Sequence, residues 1–264
     1  MEEPSAQEKP QLDPSLFRPP GLEMARGLLY FTLVFMVFMF MQLAVMIWRV
    51  IALSPALAQQ GFSLALLDTP AFQERWQQVG LHGDVLALVG LISGGVCLLL
   101  LLWITFRWKN KRTGHFLALG MPTLRSLFLW TGFFLVVFAA LEAITFLLPE
   151  MDSEFMRQVL SSATNYPLLF LGLGLMPALF EEFLLRGLLY GSLRHLLDKH
   201  VSVAIVAGVF TMLHQQYDWY ILLLYVLPLG VFLGYARANS GSIWTAVFLH
   251  LLNNVASMLL PHGT

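Results

Sequence analysis

Two glutamates and an arginine stand inside one of the most apolar parts of this sequence, the stretch LFEEFLLRGLLYG that runs from Leu179 to Gly191. On a helix, Glu182 and Arg186 are four residues apart with the glutamate N-terminal, which is the favourable order for an ion pair. Glu181 points about 100° away from Glu182 and has Leu185 as its neighbour one turn on. We therefore expect Glu182 to be neutralised by Arg186 and Glu181 to be available for chemistry.

The two histidines that could act with Glu181 follow in later apolar stretches. If residues 194–200 form a turn between antiparallel helices, Glu181 and His214 lie level with each other, because both helices rise equally per residue. Further on, HLLNN places His250 and Asn254 on one face at i, i+4, while Asn253 can reach His250 only at i, i+3. A carboxylate, two imidazoles and an amide suit hydrolysis, with a base for water and donors for an oxyanion.

Proline 177 precedes Glu181 by four residues. It removes one backbone hydrogen bond and tends to kink a helix, which opens space for water beside the glutamate. Charged groups at membrane depth cost several kcal/mol and face the interior of a helix bundle, so their position here indicates function.

The elements that must position these groups follow from the composition. Of the 264 residues, 58% are hydrophobic and only 12% are charged, against about 25% charged in a typical soluble protein. The net charge of −1 gives no general case for nucleic acid binding. The single cysteine, Cys97, excludes a disulfide within the chain and is best explained as a small core residue. We predict an all-α, polytopic transmembrane helix bundle.

A hydrocarbon core of about 30 Å needs about 20 apolar residues of helix. We predict about seven spans, with the active site between the last helices. They cover residues 28–48, 85–106, 127–148, 167–190, 201–215, 220–235 and 243–260.

Three regions are expected along the chain. Residues 1–25 are polar and proline-rich and should form a disordered tail. Residues 26–150 should hold N-terminal transmembrane helices, with a short interfacial helix near 69–80 that Thr69 caps and Pro70 begins. Residues 151–264 should form the catalytic helical domain.

Lysine and arginine in short loops set the orientation. The segment RWKNKR from Arg107 to Arg112, with Arg125 beyond it, outweighs the other loops, and Arg194 and Lys199 form a second basic turn. We predict that both are cytoplasmic, with the amino terminus inside, in what we expect to be a bacterial cytoplasmic membrane. The acidic stretch PEMDSE at 149–154 then lies outside.

Three motifs in consecutive apolar spans resemble the signatures of the CAAX-protease and bacteriocin-processing family, also called the abortive-infection family. They are Glu-Glu-x-x-x-Arg at 181–186, Phe-x-x-x-His at 210–214 and His-x-x-x-Asn at 250–254. The family contains intramembrane endopeptidases related to the eukaryotic Ras-converting CAAX endopeptidase. The resemblance covers about residues 167–260, and the first 150 or so residues carry no such signature.

The resemblance implies an α-helical membrane fold whose cavity admits a peptide and water. By carry-over, Glu181 is the general base, His214 helps to hold the water, and His250 with Asn254 stabilises the oxyanion. Members are often described as metalloproteases. Glu181, His214 and His250 could hold a catalytic zinc, although no His-Glu-x-x-His helix is present.

Other residues in the spans are best explained by structure. Glu182 with Arg186 should support the site, Phe210 should pack, and Glu142 should line a polar interior with no role that the sequence assigns. The pairs Gly187 with Gly191 and Gly230 with Gly234 should allow close helix packing.

The sequence therefore predicts an integral membrane endopeptidase that cleaves membrane-associated peptides or proteins near the cytoplasmic side, through glutamate-activated water that a metal could also bind. Its expected partners are the peptide or protein substrate and the lipid bilayer, not nucleic acid. Two alternatives remain from other classes: a proton- or metal-coupled transporter, since glutamate and histidine at membrane depth also serve as relays, and a catalytically silent membrane adaptor.

Overall fold

The computed structural model describes residues 19–148 and 153–260. These ranges contain helices and connecting turns, and no strand. The prediction of an all-α fold is confirmed.

Eleven helices organise the described ranges. They are α1 (Pro20–Ala52), α2 (Pro55–Gln60), α3 (Pro70–Val79), α4 (Gly83–Lys109), α5 (Thr113–Phe116), α6 (Leu124–Leu147), α7 (Glu154–Ser162), α8 (Tyr166–Leu193), α9 (Lys199–Met212), α10 (Trp219–Ser240) and α11 (Ile243–Leu259). Short 3₁₀ turns at Leu64–Asp68 and Asn110–Arg112 link some of them.

Five of these helices, α1, α4, α6, α8 and α10, are long and apolar enough to cross a membrane. Helices α9 and α11 are also apolar but shorter, so the count of seven spans remains a prediction. Large apolar side chains such as Phe40, Leu99, Phe128 and Phe146 point away from the bundle and are exposed. An apolar surface of this extent is what lipid contact requires.

Helix α1 begins at Pro20, so residues 20–25 of the stretch expected to be a disordered tail are helical. Residues 1–18 of that expected tail lie outside the described ranges. Helix α3 occupies the segment near 69–80, and Thr69 accepts a hydrogen bond from the backbone N–H of Phe72 as its N-cap. Its placement at a membrane interface stays a prediction.

The prolines of α8 and α10 are accommodated by wide turns. Pro177 follows a π-helical segment at Phe170–Leu175, and Pro228 follows another at Leu222–Val226. Because proline has no N–H and its ring displaces the carbonyl four residues earlier, the wider turn relieves the clash without ending the helix. A further π-helical segment, Phe183–Leu189, directly follows the two glutamates.

The loops define two ends of the bundle. At the first, the Glu23 carboxylate lies 2.5 Å from Nζ of Lys109, which also lies 3.4 Å from Nε2 of His195. Lys199 donates to Asn239 at this same end of the bundle. Nine described lysines and arginines lie towards it, against three towards the other end. The nine are Arg26, Arg107, Lys109, Lys111, Arg112, Arg125, Arg194, Lys199 and Arg237, and the three are Arg49, Arg75 and Arg157. We call these the basic end and the distal end.

Helices α9 and α10 pack closely because two glycines of α10 face α9. A Cβ atom added to Gly230 would lie 3.0 Å from Phe210, and one added to Gly234 would lie 2.8 Å from Val203. Gly187 and Gly191 similarly meet the side chains of Leu117 and Phe116. The prediction of close packing at these glycine pairs is confirmed.

Candidate active site

A cavity of about 1120 Å³ lies between the helices and brings together residues from all three sequence motifs. Its walls are mostly apolar, with side chains such as Phe38, Met176 and Leu229. The polar groups on its walls include the predicted site residues Glu181, His214, His250 and Asn254. It is slightly larger than the 300–1,000 Å³ common for small-molecule sites, and its few polar groups among apolar walls fit a substrate site.

Glu182 is fully buried and binds two partners through one oxygen. Oε1 lies 2.8 Å from the guanidinium of Arg186 and 2.8 Å from Nδ1 of His250. The i, i+4 ion pair with Arg186 confirms the local prediction. The bond to His250 was not foreseen, because it joins α8 to α11 across 68 positions of sequence.

Arg186 is also fully buried, and it extends the same cluster to α10 and α9. It donates to the carbonyl oxygen of Gly230 at 3.0 Å, and its guanidinium lies 4.6 Å from the ring centre of Phe210. Phe210 also meets the His250 ring edge-on at 5.7 Å. Phe210 packs as expected, and its ring contacts both the Arg186 guanidinium and the His250 ring.

Glu181 differs from Glu182 in its position, because it is partly exposed and lines the cavity whereas Glu182 does not. The Oε2 atoms of both glutamates are buried without a hydrogen-bond partner among the described residues, but only that of Glu181 belongs to a cavity-wall residue. A buried acceptor without a partner is costly, so it marks a position where water or a substrate group belongs.

His214 lies just after the end of α9, where its backbone N–H donates to the carbonyl of Thr211. Its Nδ1 lies 2.7 Å from the carbonyl oxygen of Phe210. A carbonyl only accepts, so Nδ1 carries a proton and a neutral ring offers Nε2 as an acceptor. Nδ1 of His250 likewise carries a proton, since it meets the Glu182 carboxylate.

The two asparagines of α11 have different partners. Asn254 donates from Nδ2 to the carbonyl of Gly174 at 3.1 Å, which ties α11 to the π-helical turn before Pro177. Asn253 is buried, and its Oδ1 accepts from the hydroxyl of Tyr225 at 3.1 Å. Both line the cavity, so Asn253 joins Asn254 as a candidate site residue.

Tyr225 is a polar wall residue that sequence reasoning missed. Glu142 and Ser257 lie within hydrogen-bonding reach of its hydroxyl. Glu142 thus contributes to a polar interior, as predicted, through contact with Tyr225. Only its occurrence in an apolar span, LLLYVLP, could have singled out this tyrosine. Because Tyr225 takes the Oδ1 atom of Asn253, it leaves Nδ2 as the atom that can donate into the cavity.

We predict that Tyr225→Phe lowers kcat about fivefold with little change in KM, because one hydrogen bond that orients Asn253 is lost. Asn253→Asp, which keeps the shape but removes the amide donor, should lower kcat by about 10²-fold. Tyr235→Phe is the matched control, since its hydroxyl bonds His200 outside the cavity. Full kcat in Asn253→Asp would contradict a donor role for this amide.

The suggested zinc ligands are not gathered as a metal site. Within residues 19–148 and 153–260, no group of three or more His, Cys, Asp and Glu side chains is placed to hold a metal ion. Glu181, His214 and His250 therefore line one cavity without forming a ready ligand set, and no step proposed below depends on zinc.

The cavity extends to the distal end of the bundle. Its wall includes Trp76, Arg157, Gln215 and Gln216, all at the distal end, and the last three are exposed. The side of the membrane that this end faces, and with it the expected access of substrates near the cytoplasmic side, stays a prediction. Span boundaries alone do not reveal how deep, or towards which end, a cavity runs.

Comparison with known proteins addresses the second half of the chain. Residues 163–256 match the family model described as type II CAAX prenyl endopeptidase Rce1-like. The match covers α8 to α11 and thus every residue of the Glu181, His214 and His250 motifs. No curated protein and no solved structure matches the chain. Over residues 163–256, this integral membrane protein is therefore similar to the Rce1-like domain of the CAAX-protease and bacteriocin-processing family.

Proposed function

We propose that this protein is an intramembrane endopeptidase in which Glu181 activates a water molecule for attack on a peptide bond. The observation that carries the proposal is the buried Glu181 oxygen without a partner, on the wall of a cavity that also presents His214 and His250. The match of this region to a family of endopeptidases supports the same reaction class.

In the proposed first step, Glu181 accepts one proton of the water while Nε2 of His214 accepts a hydrogen bond from the other. The fixed Nδ1–H of His214 keeps Nε2 available for this task. The water oxygen then attacks the peptide carbonyl carbon, which forms a tetrahedral oxyanion. Glu181 can afterwards pass its proton to the leaving amine.

The oxyanion requires donors. A protonated His250 donates from Nε2–H, with the Glu182 carboxylate behind it as counter-charge. Asn254 uses one N–H for Gly174 and retains a second, and Nδ2 of Asn253 is the other amide donor on the cavity wall.

The decisive experiment is cleavage of a peptide library by the purified full-length protein, with the new termini identified by mass spectrometry. We expect defined cleavage sites. If the protein is instead a transporter, sealed vesicles that contain it should take up protons or metal ions. If it is a catalytically silent adaptor, neither proteolysis nor uptake should be observed. Uptake without proteolysis would refute the proposed function.

We further predict that proteolysis survives exhaustive chelation, because the described residues do not gather three metal ligands. The measurement is turnover after dialysis against a chelator, with elemental analysis of the same sample. Re-addition of zinc to the dialysed protein is the control. Loss of activity that zinc restores would contradict the prediction and assign Glu181 to the metal instead of to the proton.

A further inference from the structure

The cavity lies in the distal half of the bundle. The wall residues nearest to the basic end lie near the middle of their helices, such as Phe38, Leu185 and Leu229. None of its wall residues comes from the loops at 107–125, 194–199 or 240–243. The cavity therefore borders the distal end of the bundle and not the basic end.

The distal end is bordered by exposed polar side chains. Arg157 on α7 and Gln215 and Gln216 after α9 are exposed and also form part of the cavity wall. Phe155 of α7 packs edge-on against Tyr217 at 5.9 Å, which joins the two segments across the rim. A polar rim over an apolar cavity suits a peptide that comes from water or from the interfacial region.

The distribution of lysine and arginine indicates which side of the membrane the distal end faces. Nine described lysines and arginines lie towards the basic end and three towards the distal end. An excess of Lys and Arg in short loops favours the cytoplasmic side. By this rule, the distal end and the cavity that borders it lie on the side away from the cytoplasm.

We propose that the substrates are proteins whose scissile segment lies on the extracytoplasmic side of the membrane, and that this segment reaches Glu181 past Arg157 and Gln216. The inference rests on the proposed endopeptidase function. It names the side from which that same site is served.

The test uses single cysteines in a Cys97→Ala background of the full-length protein in intact cells. A membrane-impermeant maleimide should label Gln216→Cys at the distal rim and leave Lys111→Cys, in the basic loop, unlabelled until the cells are permeabilised. Labelling of Lys111→Cys alone would overturn the orientation. This result does not depend on activity, so it remains decisive even if no proteolysis is found.

A second experiment measures peptide cleavage by labelled variants. A bulky maleimide on Gln216→Cys should reduce cleavage at least tenfold, whereas the same reagent on Gln78→Cys should not. Gln78 is exposed on α3 at the distal end but does not line the cavity. Equal activity of both labelled variants would overturn access past Gln216.

A third experiment measures cleavage in cells. Its substrate is a peptide that the purified protein cleaves, fused to a single transmembrane helix in either orientation. Cleavage is expected only when the peptide is outside. Cleavage only of the inside fusion would overturn the proposal, whereas failure of Glu181→Gln to abolish cleavage would instead contradict the proposed function.

Discussion

Glu181→Gln is expected to lower kcat by about 10²–10⁴-fold, the range that a positioned general base contributes. The amide has nearly the same shape but cannot accept the proton of the attacking water. Protein yield and the thermal midpoint should not fall, because the buried carboxylate oxygen without a partner is replaced by a neutral group. Turnover and thermal unfolding of the same preparation provide the measurement.

Glu74→Gln is the matched control for this change. Glu74 is exposed on α3 and contacts Gln78 outside the cavity, so both turnover and stability should match the unmodified protein. Wild-type turnover in Glu181→Gln would falsify the assignment of the base and leave His214 or His250 to activate the water.

The parts of the site that the sequence predicted are those that depend on spacing within one helix. Glu182 pairs with Arg186 because four residues bring side chains to the same face. Glu181 is left on the cavity wall for the same reason. The turn between α8 and α9 was also predictable, since Arg194 and Lys199 interrupt the apolar pattern.

The unforeseen parts depend on how helices rotate against one another. Which asparagine of α11 meets Tyr225 and which meets Gly174 is decided by the rotation of α11 against α8 and α10. That rotation is set by side-chain packing, which periodicity does not specify. The bond from His250 to Glu182 has the same origin, and it changes the role of Glu182 from a neutralised carboxylate to one that also orients a histidine.

Depth is a second quantity that the pattern of spans leaves open. Equal rise per residue predicts that Glu181 and His214 lie at the same depth. It does not predict which end of the bundle is nearer to them. The short α9 ends at Met212, so His214 lies at the distal end of its helix. His214 is therefore nearer to the distal end than to the basic end.

The second large effect concerns stability. Glu182→Leu or Arg186→Met alone should each lower the free energy of unfolding by about 3–5 kcal/mol, because each leaves the opposite charge buried without its ion-pair partner. The thermal midpoint should fall by roughly 6–20 °C. Glu154→Gln is the control, since its i, i+3 pair with Arg157 is exposed and should contribute little.

The double variant Glu182→Leu/Arg186→Met separates stability from catalysis. Both charges are removed together, so most of the lost stability should return, although the Gly230 carbonyl loses its donor. Activity should not return, because Nδ1 of His250 no longer has an acceptor that holds the ring. Recovery of both properties would show that Glu182 serves the fold alone. Recovery of stability without turnover would show that its bond to His250 serves the reaction.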